Sequence, residues 1–231
     1  MPKTIVIVGY GPGTAASVAE KFGKEGFSVA LIGRNEERLA AGVSALKARG
    51  VTALGFPGDA SDPASIRSAI RAVHSQLGPI TVMQWNAYGG EEAGDLLAAD
   101  PASLHRVFDV AIFGLLAATS EALSDLKKSG GGAILVANGA FGEVSPEADE
   151  SATNFHAMGV ALANAAKNKL VGLLAQRLKG DGVYVGQIMV DGTIKGTPTG
   201  SGNAINPAVI AGKYWELYRS RGETRAVVKP A

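Results

Sequence analysis

Short runs of β-branched and aliphatic residues alternate along the chain with longer stretches whose apolar positions recur every three to four residues. The opening run, Ile5-Val6-Ile7-Val8, has no polar interruption, the pattern of a strand buried on both faces rather than half-exposed to water. Comparable runs predict strands near 3–8, 27–32, 51–56, 79–85, 132–138 and 183–190, and Arg225 to Val228 offers an edge strand. The intervening stretches predict helices over roughly 13–25, 35–48, 62–76, 101–128 and 154–179, with a shorter one near 206–220. Strand and helix in alternation build βαβ units. The expected fold is therefore α/β: one doubly wound parallel sheet of about six or seven strands with helices on both faces.

Local signals agree with this division. Asp62-Pro63 and Asp100-Pro101 each put a capping carboxylate before a proline, which has no N–H to leave unpaired, and so mark helix starts. Gly23, Gly26, Gly50, Gly78 and Gly130 to Gly132 stand where helices should end before the next strand. Segment 193–205, rich in Gly, Thr, Ser and Asn, fits neither period and reads either as a mobile lid or as a plain surface loop. With 231 residues, 46% of them hydrophobic, and no linker-like stretch, the chain is expected to form one domain over 1–231. The net charge of +1 is spread without a basic block, which speaks against nucleic acid or an anionic membrane as a partner. Cysteine is absent, excluding disulfides, thiolate metal sites and a cysteine nucleophile. The first apolar run is too short for a signal-peptide core and the longest later one, Val110 to Ala118, too short to span a bilayer, so a cytoplasmic protein is the expectation.

Gly9-Tyr10-Gly11-Pro12-Gly13-Thr14-Ala15 lies directly between the first strand and the first helix. Glycines there let the backbone approach a pyrophosphate, whose charge the unpaired N–H groups of a helix N-terminus favour. The competing reading is a tight turn without a ligand. A carboxylate that reads a ribose 2′-hydroxyl would be expected at the end of the second strand. The chain instead continues Gly33-Arg34-Asn35, and a guanidinium there suits the 2′-phosphate of NADP, favouring NADP(H) over NAD(H). Arg34 also has a bland reading, as a surface residue opening a helix.

Taken together, Gly9-x-x-x-Gly13-x-Ala15, Arg34, Gly58-Asp59-Ala60, Trp85-Asn86-Ala87-Tyr88 and the helix around Lys167 resemble the short-chain dehydrogenase/reductase family over about residues 3 to 195. The resemblance implies a Rossmann-type sheet and a dinucleotide held by Gly9, Gly11, Pro12, Gly13 and Thr14 at the pyrophosphate. It further implies Asp59 and Ala60 near the adenine, Asn86 and Ala87 after the fourth strand, Lys167 on the nicotinamide ribose, and Gly192 and Ile194 beside the nicotinamide. It implies a homodimer or homotetramer packed through the helices 101–128 and 154–179. The chain departs from the family at the residues of proton transfer: Ala111 stands at the Asn position, Gly139 at the substrate-orienting Ser and Ala163 at the Tyr, four residues before Lys167. The stretch 140–153 carries an insertion, and Asp191-Gly192 replaces the usual Pro-Gly.

Hydride transfer to a carbonyl develops negative charge on oxygen, and a positioned acid typically contributes about two to four orders of magnitude by protonating it. Alanine supplies no proton, and no tyrosine occurs between Tyr88 and Tyr184. Lys167 has three readings: a ribose ligand, an acid whose pKa burial has lowered, or an exposed helix cation. His156, eleven residues earlier in the same expected helix, shares its face. Tyr10, Tyr88 and Asn138 fall near the expected nicotinamide end by motif position, and each reads first as an ordinary loop or core residue. His74 and His105 lack partners at metal-ligand spacing, so no metal site is expected. Two functions follow: an NADP-dependent oxidoreductase acting on a substrate that needs little enzymatic protonation, such as an activated alkene or imine, or a non-catalytic NADP(H)-binding regulatory protein. A scaffold without nucleotide is a third. Loops 88–100, 140–153 and 193–205 contain no group that identifies a substrate.

Overall fold

The computed structural model describes residues 3–89 and 93–230. Seven parallel strands form one sheet in the order β3-β2-β1-β4-β5-β6-β7. They are β1 (Thr4–Val8), β2 (Ser28–Gly33), β3 (Ala53–Pro57), β4 (Ile80–Trp85), β5 (Ala133–Gly139), β6 (Tyr184–Val190) and β7 (Arg225–Val228). All five residues of β1 are buried, as its unbroken apolar run requires. Ile5 and Ile7 pack with Phe22 of α1 (Thr14–Lys24), Leu39 of α2 (Glu36–Lys47) and Tyr214 of α8 (Pro207–Ser220). Val6 and Val8 point the other way, into a layer made by α3 (Pro63–Leu77), α5 (Leu115–Lys128) and α7 (Met158–Leu178). Each such aliphatic side chain, fully enclosed, stabilises the fold by about 1.5–3 kcal/mol.

The capping carboxylates behave as the sequence predicts. Asp62 accepts from the Ala64 N–H at the start of α3, and Asp100 from the Ser103 N–H at the start of α4 (Pro101–Phe108). Gly26, Gly50, Gly78 and Gly130 adopt positive φ between elements. Gly23 does not; it lies inside α1 and makes room for the Val51 side chain.

The expected helix 101–128 is not uniform, because α4 and α5 are joined by a turn of π-helix, Asp109–Gly114. At its end a Cβ on Gly114 would collide with the Ala60 carbonyl and lie 3.0 Å from the Trp85 ring, so glycine lets this turn approach the sheet. The 28-residue span Pro101–Lys128 holds an 18-residue stretch with a mean hydropathy of 1.5 and is apolar and long enough to cross a membrane by length and composition, although Val110 to Ala118 alone is not. Its Leu115, Ala118, Ala122 and Leu126 are buried in the layer against the sheet, the position of a core helix.

The expected helix 154–179 also needs correction. Residues Pro146–Asn154 form a separate helix, α6, capped by the Ser145 hydroxyl, and α7 begins at Met158. Between them His156 adopts a φ of 49°, so it breaks the helix instead of sharing a face with Lys167, and its side chain is exposed. Segment 193–205 closes on itself: the Lys195 N–H donates to the Ile205 carbonyl and the Ile205 N–H to the Thr193 carbonyl.

Candidate functional site

Strand order reverses between β1 and β4, and the crevice beyond the carboxyl ends of these strands is where open α/β sheets bind ligands. The turn after β1 is pinned there. The Gly9 and Tyr10 N–H groups both donate to the Ile32 carbonyl, and the Asn86 amide donates to the Gly9 carbonyl at 3.2 Å. Gly9 has a φ of 84°, and a Cβ on it would collide with the Ala87 backbone, so Asn86-Ala87 fixes the turn and only glycine fits beneath it. Helix α1 then starts from Gly13 with no side-chain cap and no acidic residue in its first turn. Its N-terminal N–H groups therefore lack acceptors among the described residues. The Thr14 hydroxyl beside them is buried and has no hydrogen-bond partner among the described residues. Free donors, an orphaned hydroxyl and room for close backbone approach fit a pyrophosphate.

Arg34 follows β2 immediately and is exposed. One helical turn on, the Arg38 guanidinium leans over Gly11, 3.9 Å from where a Cβ would be. Neither arginine makes an ion pair among the described residues, and the Arg38 guanidinium stands unpaired beside the glycine turn. Arg38 was not evident from the motif, since it reads as an ordinary helix residue. Asp59 is half-buried and accepts from the Ser61 N–H and hydroxyl, which shapes the turn leading into α3. Ala60 lies under Gly114 of the π turn.

Ala111 and Ala163 meet in one small apolar cluster with Ala93 and Val107. Two residues 52 positions apart in sequence are thus brought to the same spot, at 4% and 3% exposure. One helical turn beyond Ala163, Lys167 is 4% exposed, which rules out the exposed-cation reading. Among the described residues it has no hydrogen-bond or ion-pair partner, and burial alone pulls its amine down from 10.5 to about 8.

The end of β5 adds a polar cluster. The Asn138 amide donates to the Asn164 carbonyl at 3.1 Å and to Gln187 Oε1 at 2.9 Å, while Gln187 Nε2 donates to Asn168 Oδ1 at 2.6 Å. Asn138 is therefore engaged between β5, β6 and α7. Gly139 has Asn164 against its open side: a Cβ there would lie 2.8 Å from Asn164 Nδ2. Asn164, Asn168 and Gln187 were missed by motif reading because nothing in their spacing marks them; they converge only through the fold.

Other expectations shift. The Tyr10 ring turns away from this end and packs against Gly42 of α2. Tyr88 is exposed, and residues 90–92 of the loop 88–100 lie outside the described residues. Gly192 rests against Pro230, whereas Ile194 and Thr197 reach the phosphate turn, 3.4 Å and 3.0 Å from where a Gly13 Cβ would stand. Segment 193–205 thus lies over the start of α1. Segment 140–153, expected to carry an insertion, is tied down by an Arg225–Glu143 ion pair and by the tilted packing of the Phe141 and Phe155 rings. A hollow of about 540 Å³ lined by Lys47, Val51, Leu54 and Leu77 opens at the opposite end of the sheet and touches none of these groups.

The same chain segments recur in known proteins. The family described as short chain dehydrogenase matches residues 3–198. The (3E)-enoyl-CoA-producing peroxisomal 2,4-dienoyl-CoA reductase of Arabidopsis thaliana is 32% identical over 142 residues, 56% of this chain and 46% of that protein. The (S)-acetoin-forming diacetyl reductase of Staphylococcus epidermidis is 27% identical over 148 residues, 64% of this chain and 57% of that protein. The chain thus spans about half the length of the curated relatives it matches. Among solved structures, a metagenomic short-chain oxidoreductase in complex with NADP superposes with a TM-score of 0.82 at 22% identity, covering 99% of this chain and 97% of that one. L-sorbose reductase from Gluconobacter frateurii, complexed with NADPH and L-sorbose, gives 0.87 at 18% identity over 100% and 96%. At these identities the superpositions speak for the fold. The family match runs from β1 into the segment after β6, the stretch that builds the crevice, and the chain belongs to the short-chain dehydrogenase/reductase family.

Proposed function

We propose that this chain binds NADP(H) in preference to NAD(H) and reduces a polarised double bond with a proton-transfer site unlike that of its family. The buried, unpaired amine of Lys167 beside Ala111 and Ala163 carries this reading. The residues present fit a dinucleotide: Gly9, Gly11, Pro12, Gly13 and Thr14 would hold the pyrophosphate, Arg34 with Arg38 the 2′-phosphate, and Asp59 and Ala60 the adenine end. Asn86 and Ala87 would hold the turn in shape, and Gly192 and Ile194 would bound the nicotinamide. When bound, the dinucleotide supplies a hydride.

Lys167 would donate hydrogen bonds to the ribose hydroxyls, giving its unpaired N–H groups partners. Its pKa of about 8 leaves it mostly protonated at neutral pH, so it can also pass a proton toward solvent or substrate. With methyl groups at 111 and 163, no phenol or amide from those positions protonates an alkoxide. A conjugated alkene suits this, because electron density moves onto a carbonyl oxygen and the carbon proton comes from water. One relative is named for reduction of a 2,4-dienoyl thioester and another for reduction of a diketone, so the preference for an alkene rests on the missing proton donors.

Phe113 on the π turn and Leu162 and Leu173 on α7 expose apolar side chains, supporting association into a homodimer or homotetramer through these helices. Sedimentation of the purified chain tests this. The function is tested by calorimetric titration with NADPH, NADH and NADP⁺, followed by NADPH oxidation against ketone, imine and enone panels. Micromolar NADPH binding, tighter than NADH, with turnover of an enone is the expected result. Binding without turnover on any panel would leave a non-catalytic NADP(H)-binding protein, and no binding would overturn the proposal.

A further inference from the structure

We propose that Asn164 is a catalytic residue of this chain: its side-chain amide donates a hydrogen bond to the substrate's carbonyl oxygen. The inference rests on the reductase reading above. Asn164 is 6% exposed, and among the described residues its side chain has no hydrogen-bond partner. Burying an amide so is unfavourable unless something outside the protein pairs with it. It is not sealed into the core, for it is absent from the fully enclosed orphan atoms represented by Gln84 and Thr119. Its Nδ2 lies over Gly139, at the carboxyl end of β5, where a Cβ would come within 2.8 Å. Gly142 also has no room for a side chain, because the Asn164 Cβ and main chain fill that space.

Loop 139–142 is thus wrapped around this residue. Lys167 is three positions further along α7, on the same face of the helix. The Asn138 hydrogen bond to the Asn164 carbonyl, braced by Gln187, holds that helix turn in register with β5 and β6. A carboxamide does not release a proton at ordinary pH, so its part is to polarise. Its N–H stabilises the negative charge that gathers on the carbonyl oxygen of an α,β-unsaturated ketone, aldehyde or thioester, the role of an oxyanion donor.

The test uses four variants: N164A, N164D, G139S and the double G139S/N164A. Each is measured for NADPH affinity, for calorimetric binding of cyclohex-2-enone to the NADP⁺ complex, and for kcat on the enone panel. In N164A kcat should fall about 10- to 100-fold, with weaker enone binding and an NADPH affinity unchanged within about twofold. N164D keeps the shape but carries a carboxylate facing the developing charge, and should fall further. G139S alone should lose activity by the clash with the amide, and the double variant should regain about tenfold over N164A, since a hydroxyl then occupies the vacated space. Full activity and probe binding in both N164A and N164D would overturn the role of Asn164 while leaving the reductase reading intact. A wild-type chain that neither binds the probe nor turns over any enone would overturn both.

Discussion

Replacing Lys167 with methionine exchanges a buried amine for an apolar chain of similar length, and the stability change can be worked from its titration. An amine that ordinarily titrates at 10.5 and here titrates at about 8 carries a folded-state penalty of about 3 kcal/mol while charged. Below about pH 8 both folded and unfolded chains hold the proton, and the penalty is felt in full. Between about 8 and 10.5 only the unfolded chain still holds it, so wild-type stability rises with pH through this window. Above 10.5 the amine is neutral in both states and the penalty is gone. K167M should therefore be more stable than wild type by about 3 kcal/mol at pH 7, a rise in Tm of about 6–12 °C for a chain of this size. The two proteins should converge as pH approaches 10.5. Tyr184, pushed up to about 12 by burial, and Tyr214, also pushed up, act on both proteins alike and cancel in the difference. Urea unfolding at pH 7, 9 and 10.5 without nucleotide reads this directly. A K167M chain no more stable than wild type at pH 7, or a gap that does not close with pH, would show that the amine is solvated or paired and refute the reasoning.

R34E places a carboxylate where a 2′-phosphate is expected, and should weaken NADPH at least tenfold while changing NADH by less than about threefold, as read by fluorescence titration; equal losses would remove Arg34 from the site. G114A puts a Cβ into the Ala60 carbonyl and should destabilise the fold by about 3 kcal/mol in urea unfolding, because the π turn has no free direction to move against the sheet. T119V removes a buried hydroxyl that has no partner among the described residues, and should be neutral or stabilising by about 1 kcal/mol; a clear loss of stability would reveal a partner for it.

Each strand expected from the apolar runs is present within about two residues; the inner strands are covered on both faces and write their burial as apolar runs, while the edge strands β3 and β7 mix buried and exposed positions. The glycine turn after β1 was equally legible as a turn, since Gly9 and Gly13 are demanded by backbone geometry that no other residue adopts easily. The π turn was not, for its i+5 bonding leaves the apolar spacing of Val107, Ala111 and Leu115 looking like ordinary helix. Helix α6 did leave a signal, the Ser145-Pro146-Glu147 start with a capping hydroxyl and acids in the first turn. That start was hidden inside a stretch read as an insertion. Asn164 left none, as its meaning comes from Gly139 lying opposite it across two elements.

The order of strands in the sheet is also an order in time. Among these strands β1 is made before the others, and it ends in the interior of the sheet; β2 and β3 then extend one edge outward, and β4 to β7 extend the other. No later strand has to pry apart a pair already formed. Each new βα unit meets a finished edge and a layer of side chains ready to receive it, so the sheet can lengthen at the pace of synthesis. The phosphate turn, fixed between β1 and β2 but locked from below by Asn86-Ala87, is completed only when β4 docks. A nascent chain stopped before that point would have its glycine turn and no affinity for a nucleotide, and the first ligand-competent intermediate would be one that includes β4.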